Sequence, residues 1–352
     1  MFSSSFKLLF PVYFLSFLGL LVISSINFSL FWSQLFWVIL GTLIVVFFWF
    51  FDLRGIIKNR ELLVFFYFFS LALLVAALFS SPIRGIKGWI HFGLFNFQPA
   101  ELVKISLLLL FAYFFAKRYT GLAHLKNILI PFFIFFLPAL LILKQPDLGS
   151  TIVLFGMWLG FLLISGLRFK HLLVGSFILI AGFILAWSYF LAPYQKERIA
   201  GVFYPERDPL GINYNVIQSK IAIGSGGFFG KGFGQGTQIQ LGFLPEAQTD
   251  FILAGAIEEW GLLGGLLLIL SFAFLIYEII GISVYFASDN FDRFVCLGAV
   301  IIFSIHFILN AGSALGLTPV IGLPFPFVSY GGSNLLTSFI MVAIINSIAL
   351  RS

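Results

Sequence analysis

Ten stretches of nearly unbroken apolar sequence run along the chain, at residues 8–26, 30–51, 62–80, 99–116, 127–143, 148–165, 169–191, 250–277, 293–316 and 329–350. Each is close to the roughly 20 residues an α-helix needs to cross a hydrocarbon core. They lack the polar–apolar alternation of outer-membrane barrel strands. The pattern predicts an all-α, polytopic membrane protein with about ten transmembrane helices, a single integral membrane domain over residues 1–352. The first stretch has no small-x-small cleavage site and runs on into the second, so it is expected to remain as an anchor. Between 192 and 249 the apolar pattern gives way to charged residues and to dense glycine from Gly224 to Gly242. A long connection at a membrane face is where function concentrates.

Composition agrees with that reading. The chain is 61% hydrophobic and 10% charged, where soluble domains carry about 25% charged residues. A water-soluble fold and a disordered chain are both excluded. The net charge of +6 gains meaning from its placement rather than as a nucleic-acid signal. With a cytoplasmic N-terminus, Lys7, Arg54, Lys58, Arg60, Lys117, Arg118, Lys126, Arg168, Lys170, Arg293 and Arg351 all fall inside. The short outer loops hold only Arg84, Lys87 and Lys144. The positive-inside rule then puts both termini in the cytoplasm and makes the long connection extracytoplasmic. The lone cysteine, Cys296, cannot form an intrachain disulfide.

Ionisable groups in or beside a span each need a reason. Glu101 and Lys104 stand at i, i+3 in "QPAELVK", on one helix face. They form either an internal ion pair or part of a polar cavity. Asp147 in "KQPDLGS" reads as a helix cap or as a site acid at the same outer end. Thr249 is expected to cap the eighth span, with Asp250 in its first turn. The helix dipole would tolerate an acid there, and a carboxylate in a partly dry site can equally serve as a general base. Glu258 and Glu259 face different directions, so at least one is expected to be structural. "AIGSGGFFGKGFGQG" fails both the Walker and the G-x-G-x-x-G patterns. It leaves a glycine segment near Lys231 that reads either as a phosphate contact or as a tight loop lying on the membrane. "TPVIGLPFPFVSYGGSN" requires irregular backbone at membrane depth, tolerated only inside protein or along a polar cavity. His91, His124, His171 and His306 are scattered and carry no metal-ligand spacing.

Taken together, "FQPAELVKI" (97–105), "QPDLGS" (145–150), "RI" (198–199), "DPLGINYNVIQSKIAIGSGG" (208–227), "FLPEAQTDFI" (243–252), "EEWGLLG" (258–264) and "PVIGLPFPFVSYGGS" (319–333) resemble the SEDS family in its motif order. These are the shape, elongation, division and sporulation polymerases of bacterial peptidoglycan, and the resemblance covers nearly the whole chain. It implies a glycosyltransferase at the outer face of the cytoplasmic membrane. A nascent glycan on undecaprenyl pyrophosphate would be the donor, and the 4-hydroxyl of a second lipid II the acceptor, with inversion to a β-1,4 bond. Asp250 matches the family's essential aspartate and is the implied base. Glu101, Lys104 and Asp147 match further cavity positions. Arg198, Asp208, Tyr214, Gln218 and Lys231 fall in or beside matched loop segments, as implied contacts to sugar or pyrophosphate. The departing pyrophosphate needs cations, supplied by Lys, Arg or a divalent ion such as Mg²⁺ or Mn²⁺. No organic cofactor is expected.

The last motif is more similar to the elongation branch, RodA, than to the division branch, FtsW. Gln248 stands where histidine is common, and Ala100 where serine is usual. The resemblance also implies a class B penicillin-binding protein as the transpeptidase partner, packed against the eighth and ninth spans and the long loop. A division-type polymerase, a lipid II flippase and a recruiting scaffold remain the rival readings.

Overall fold

Each expected span forms a helix in the computed structural model, which describes residues 2–82, 85–93, 95–118, 126–167, 169–190, 193–204, 208–211 and 213–351. Arg84, His124 and Arg168 lie outside the described residues. In chain order the elements are α1 (Phe2–Ile26), α2 (Phe28–Phe50), α3 (Arg54–Ile57), α4 (Arg60–Ala77), β1 (Ile90–Phe92), β2 (Phe95–Phe97), α5 (Pro99–Ala116), α6 (Lys126–Lys144) and α7 (Leu148–Ile164). There follow α8 (Phe169–Leu185) with a π-helical turn at Ala186–Phe190, α9 (Pro193–Phe203), α10 (Tyr214–Gly226), α11 (Thr237–Gln240), α12 (Ile252–Tyr285), α13 (Asn290–Leu315) and α14 (Gly332–Leu350). Among the described residues eight helices are long and apolar enough to cross a membrane, and α7 and the stretch Leu173–Tyr189 are shorter apolar helices. β1 and β2 pair antiparallel, with Ile90 opposite Phe97.

Polar residues between the apolar runs set the helix ends. Asn59 caps α4 by accepting from Glu61 and Leu62 N–H at 2.9 and 3.3 Å. Asp289 caps α13 by accepting from Asp292 N–H at 2.9 Å, and Gly316 ends that helix in the left-handed conformation. Pro99 occupies the first turn of α5, where a missing N–H does no harm.

Burial ranks the spans. In α5 83% of the apolar window is buried and in α14 78%, against 17% in α2. α5, α13 and α14 therefore form the centre, and α2 faces lipid. Small residues bring the central helices close: a Cβ on Gly298 of α13 would overlap Leu108 of α5 and Phe161 of α7. By contrast, no described residue of α8 is buried, so α8 stands at the edge of the bundle. The ends near Ser5 and Asn346 meet through a side-chain hydrogen bond. At that same end Arg54 and Arg351 hold Asp52, and Lys58 holds Asp289 and Asp292.

The long connection is not a plain loop, since it carries α9, α10 and α11. The eighth span also differs from its expected form. It runs to Tyr285 and is broken at Gly261, whose φ of 69° and ψ of −170° only glycine accepts readily. The glycine segment fills that break. Lys231 and Gly232 N–H donate to Glu258 and Glu259 carbonyls at 3.0 and 2.9 Å. Leu262 and Leu263 N–H donate to Gly227 and Phe228 carbonyls at 2.9 and 3.3 Å. Groups freed by the break are thus satisfied by the loop. A Cβ on Gly226, Gly230 or Gly261 would strike the opposing backbone. The glycines serve this close approach, so the expected loop lying on the membrane is instead a segment inserted into α12.

Candidate active site

Just before α12 the chain makes a tight turn. Thr249, Asp250 and Phe251 N–H all donate to the Glu246 carbonyl, at 3.1, 3.1 and 3.3 Å. The N-cap of α12 is Phe251, without a side-chain capping bond. The expectation that Thr249 caps this helix is therefore corrected. Its hydroxyl turns back to Glu246, 3.3 Å from the carbonyl and 3.2 Å from the carboxylate. Asp250 precedes the helix rather than sitting in its first turn. Its side chain is half-buried and faces Gly322, where φ is 74°. A Cβ placed on Gly322 would lie 3.7 Å from Asp250 Oδ2 and would meet no other described atom within 4 Å, so there is room beside the carboxylate.

Asn310 of α13 and the segment leading into α14 hold this turn in place. Asn310 Nδ2 on α13 donates to the Asp250 carbonyl at 3.1 Å and to the Leu323 carbonyl at 2.8 Å. Ser329 Oγ donates to the Thr249 carbonyl at 2.6 Å and accepts from Phe325 N–H at 2.9 Å. Tyr330 N–H donates to the Gln248 carbonyl at 2.9 Å. The Gln248 position thus contributes its backbone, which any residue supplies. Gln34 of α2 closes the far side, donating to Ser329 O at 3.1 Å.

On the other side of residues 319–328 lies a buried chain of polar groups. Lys104 Nζ sits 2.7 Å from Glu101 Oε1 and 3.0 Å from His306 Nε2. His306 Nδ1 is 3.2 Å from the Pro324 carbonyl. Asn334 Nδ2, at the start of α14, lies 3.3 Å from Glu101 Oε2. Glu101 is 3% exposed, Lys104 1% and His306 1%. An ammonium is affordable at this depth because acid and imidazole both accept from it. The pair is internal, and through Pro324 it also reaches the segment that faces Asp250.

The remaining expected residues divide. Asp147 caps α7, accepting from Ser150 N–H at 2.9 Å and Ser150 Oγ at 2.7 Å, and it also accepts from Gln98 Nε2 at 3.1 Å. Lys231 holds the fully buried Glu258 at 2.7 Å. Glu258 in turn accepts from Gln238 N–H at 2.9 Å, so this pair pins α11 onto α12. Glu259 is buried too and receives Ser25 Oγ. Arg198 lines a cleft of about 60 Å³ with Asn213, Asn215, Thr318 and Val320. That cleft ends two residues before Gly322. Tyr214 and Gln218 sit one turn apart on α10 and are half-buried. Asp208 is exposed and folds its carboxylate over Gly211. Asp250, Glu101, Lys104 and Arg198 thus meet through residues 319–324, whereas Asp147, Lys231 and Asp208 are engaged elsewhere.

Reading by residue type missed His306, Asn310 and Asn334. Metal-ligand spacing does not single out a lone buried histidine. The available signal was a different one: His306 and Asn310 lie at i, i+4 inside an apolar span, which puts two polar groups on one buried face.

These features define a multi-pass helical membrane protein with a polar site at one end of the bundle, built around a half-buried aspartate. A family model described as cell cycle protein, FtsW/RodA/SpoVE, matches residues 5–352, and the chain belongs to that family. It is 41% identical over 281 residues to the peptidoglycan glycosyltransferase MrdB of Escherichia coli K12, covering 79% of this chain and 75% of that one. It is also similar to a chain from a structure on how a peptidoglycan synthase complex coordinates polymerization and crosslinking, with a TM-score of 0.83 at 30% identity over 97% and 96% of the two chains. The crystal structure of Thermus thermophilus RodA matches with a TM-score of 0.71 at 26% identity over 98% and 96%.

Proposed function

We propose that this chain is a peptidoglycan glycosyltransferase of the RodA type. It polymerises lipid II into β-1,4 glycan at the outer face of the bacterial cytoplasmic membrane, with both termini in the cytoplasm. The observation that carries this reading is the Asp250 turn. The aspartate of the family motif is half-buried beside open space at Gly322, and Asn310 Nδ2 donates to its backbone carbonyl.

The chemistry follows from those positions. Asp250 accepts the proton of the 4-hydroxyl of the incoming lipid II as that oxygen attacks the anomeric carbon of the nascent glycan. The bond from that carbon to undecaprenyl pyrophosphate breaks, and configuration inverts. Pyrophosphate leaves as an anion and needs positive charge rather than a proton. Arg198, in the cleft leading to Val320, supplies it. Among the described residues no group of three or more His, Cys, Asp or Glu side chains stands together. With Glu101 paired and Asp147 capping, these residues do not fit a protein-built Mg²⁺ or Mn²⁺ cage. A divalent ion in the reaction would belong to the pyrophosphate. The lipid-facing α8 leaves the bundle edge open to a polyprenyl chain. The partner is a class B penicillin-binding protein that crosslinks the product.

Labelled lipid II and purified protein in detergent test the proposal. Glycan polymer together with released undecaprenyl pyrophosphate is the expected result. Detergent removes any meaning from flipping, so intact lipid II after long incubation with and without the partner would refute it.

A further inference from the structure

We propose that His306 and Asn310 are positioning residues for the reaction assigned to Asp250, fixing the base turn against the buried Glu101–Lys104 pair. The inference rests on the functional reading above. It starts from an accounting of backbone groups. Between Pro319 and Pro324 the chain forms neither helix nor strand, and Gly322 is left-handed. Buried carbonyls there need donors from elsewhere. Two consecutive ones find them on one face of α13: Leu323 O receives Asn310 Nδ2 at 2.8 Å, and Pro324 O faces His306 Nδ1 at 3.2 Å. Asn310 Nδ2 also reaches the Asp250 and Thr249 carbonyls, at 3.1 and 3.4 Å. One turn of α13 therefore grips both the base turn and the segment facing it.

The imidazole has a second partner that fixes its state. Lys104 Nζ lies 3.0 Å from His306 Nε2. An ammonium can only donate, so Nε2 must accept. The ring is then neutral with its proton on Nδ1, the nitrogen that faces the Pro324 carbonyl. Lys104 is the branch point: it donates to Glu101 on one side and to His306 Nε2 on the other, and His306 Nδ1–H donates onward to Pro324 O. This chain joins α5 to the wall opposite Asp250. A displacement of about 1 Å at such a site lowers turnover about 100-fold.

Two measurements on the full chain in detergent decide it. In the first, His306→Leu removes both bonds, and kcat is expected to fall about 10- to 100-fold while KM for lipid II stays within about threefold. His306→Gln offers one acceptor and one donor again, and recovery to within about fivefold of wild type is expected. Asn310→Leu should match the leucine variant of His306. Wild-type kcat in His306→Leu, or a His306→Gln variant as slow as His306→Leu, would overturn the proposal. In the second, ¹⁵N imidazole shifts of wild-type protein, assigned by His306→Gln, should show a neutral ring protonated on Nδ1. An imidazolium, or a proton on Nε2, would overturn the geometry whether or not the protein polymerises lipid II. A wild-type protein with that tautomer and no polymerisation would instead defeat the functional reading alone.

Discussion

At the end of the bundle that holds Asp250, the side chains of Lys104 and Glu101 are 1% and 4% exposed, and each remaining polar contact is made by protein. At the opposite end Lys58 and Asp289 form a pair of similar length, 2.9 Å, with 30% and 50% exposure. Distance alone does not separate the two; desolvation does. Water and salt screen the exposed pair, which holds loops together weakly. The buried pair has no such relief, so it is stable only as a complete set, with Glu101, Asn334 and His306 all in place.

Breaking one member of each set exposes the difference. Lys104→Met leaves Glu101 buried with only Asn334, and is expected to lower stability by about 3–5 kcal/mol. Pairing it with Glu101→Gln should return most of that loss, measured by thermal unfolding in detergent. The helix break lies between the extremes. Gly261→Ala puts a Cβ against the Phe228 carbonyl at a φ of 69°, and a loss of about 1–3 kcal/mol is expected from the same measurement. Asp289→Asn at the exposed end should lower stability by no more than about 1 kcal/mol, and by less in high salt.

The exposed end also has a pH signature. Hydrogen bonds from Arg54 hold the Asp52 carboxyl below the ordinary carboxylate range. For Asp289, partial burial opposes ionisation, but the Asp292 N–H and Lys58 outweigh it and the carboxyl is again lowered. A lowered folded-state pKa contributes stability above the unfolded value, about 3.9, and loses it as pH falls through the folded value. Unfolding midpoints should therefore be flat from pH 7 to about 5 and fall below about 4, less steeply in Asp289→Asn. Smallest of all is the expected effect of chelator on the protein alone. Since no group of three or more His, Cys, Asp or Glu stands together among the described residues, the unfolding midpoint is expected not to move.

Much of this was legible in the chain. Helices of uninterrupted apolar residues carry their own signal, and each of the ten expected stretches forms an apolar helix, eight of them, among the described residues, long enough to cross a membrane. Asp250 stands out as a candidate in the sequence because an acid entering a membrane needs a reason. The end of α12 was not legible, because "LIYEIIGISVY" stays apolar well past the length a bilayer needs. Its break was hidden for another reason. Gly261 sits in a glycine-rich helix, and only the inserted segment 227–232 shows which glycine must leave the helical region. His306 and Asn310 were hidden because their partners are main-chain carbonyls, which no side-chain pattern reveals. Asp147 and Lys231, expected as substrate contacts with a helix cap as the other reading of Asp147, meet Ser150 and Glu258 in the fold, and no local pattern shows Lys231 which acid it will reach.

The central claim is that the Asp250 carboxylate takes the acceptor's proton. It is tested most directly by single-turnover polymerisation of labelled lipid II with Asp250→Asn, a side chain of nearly the same shape that cannot act as a base. The rate is expected to fall about 100- to 10,000-fold, with folding and partner binding retained. A rate within a few-fold of wild type would contradict the assignment and leave the buried polar chain as scaffold alone.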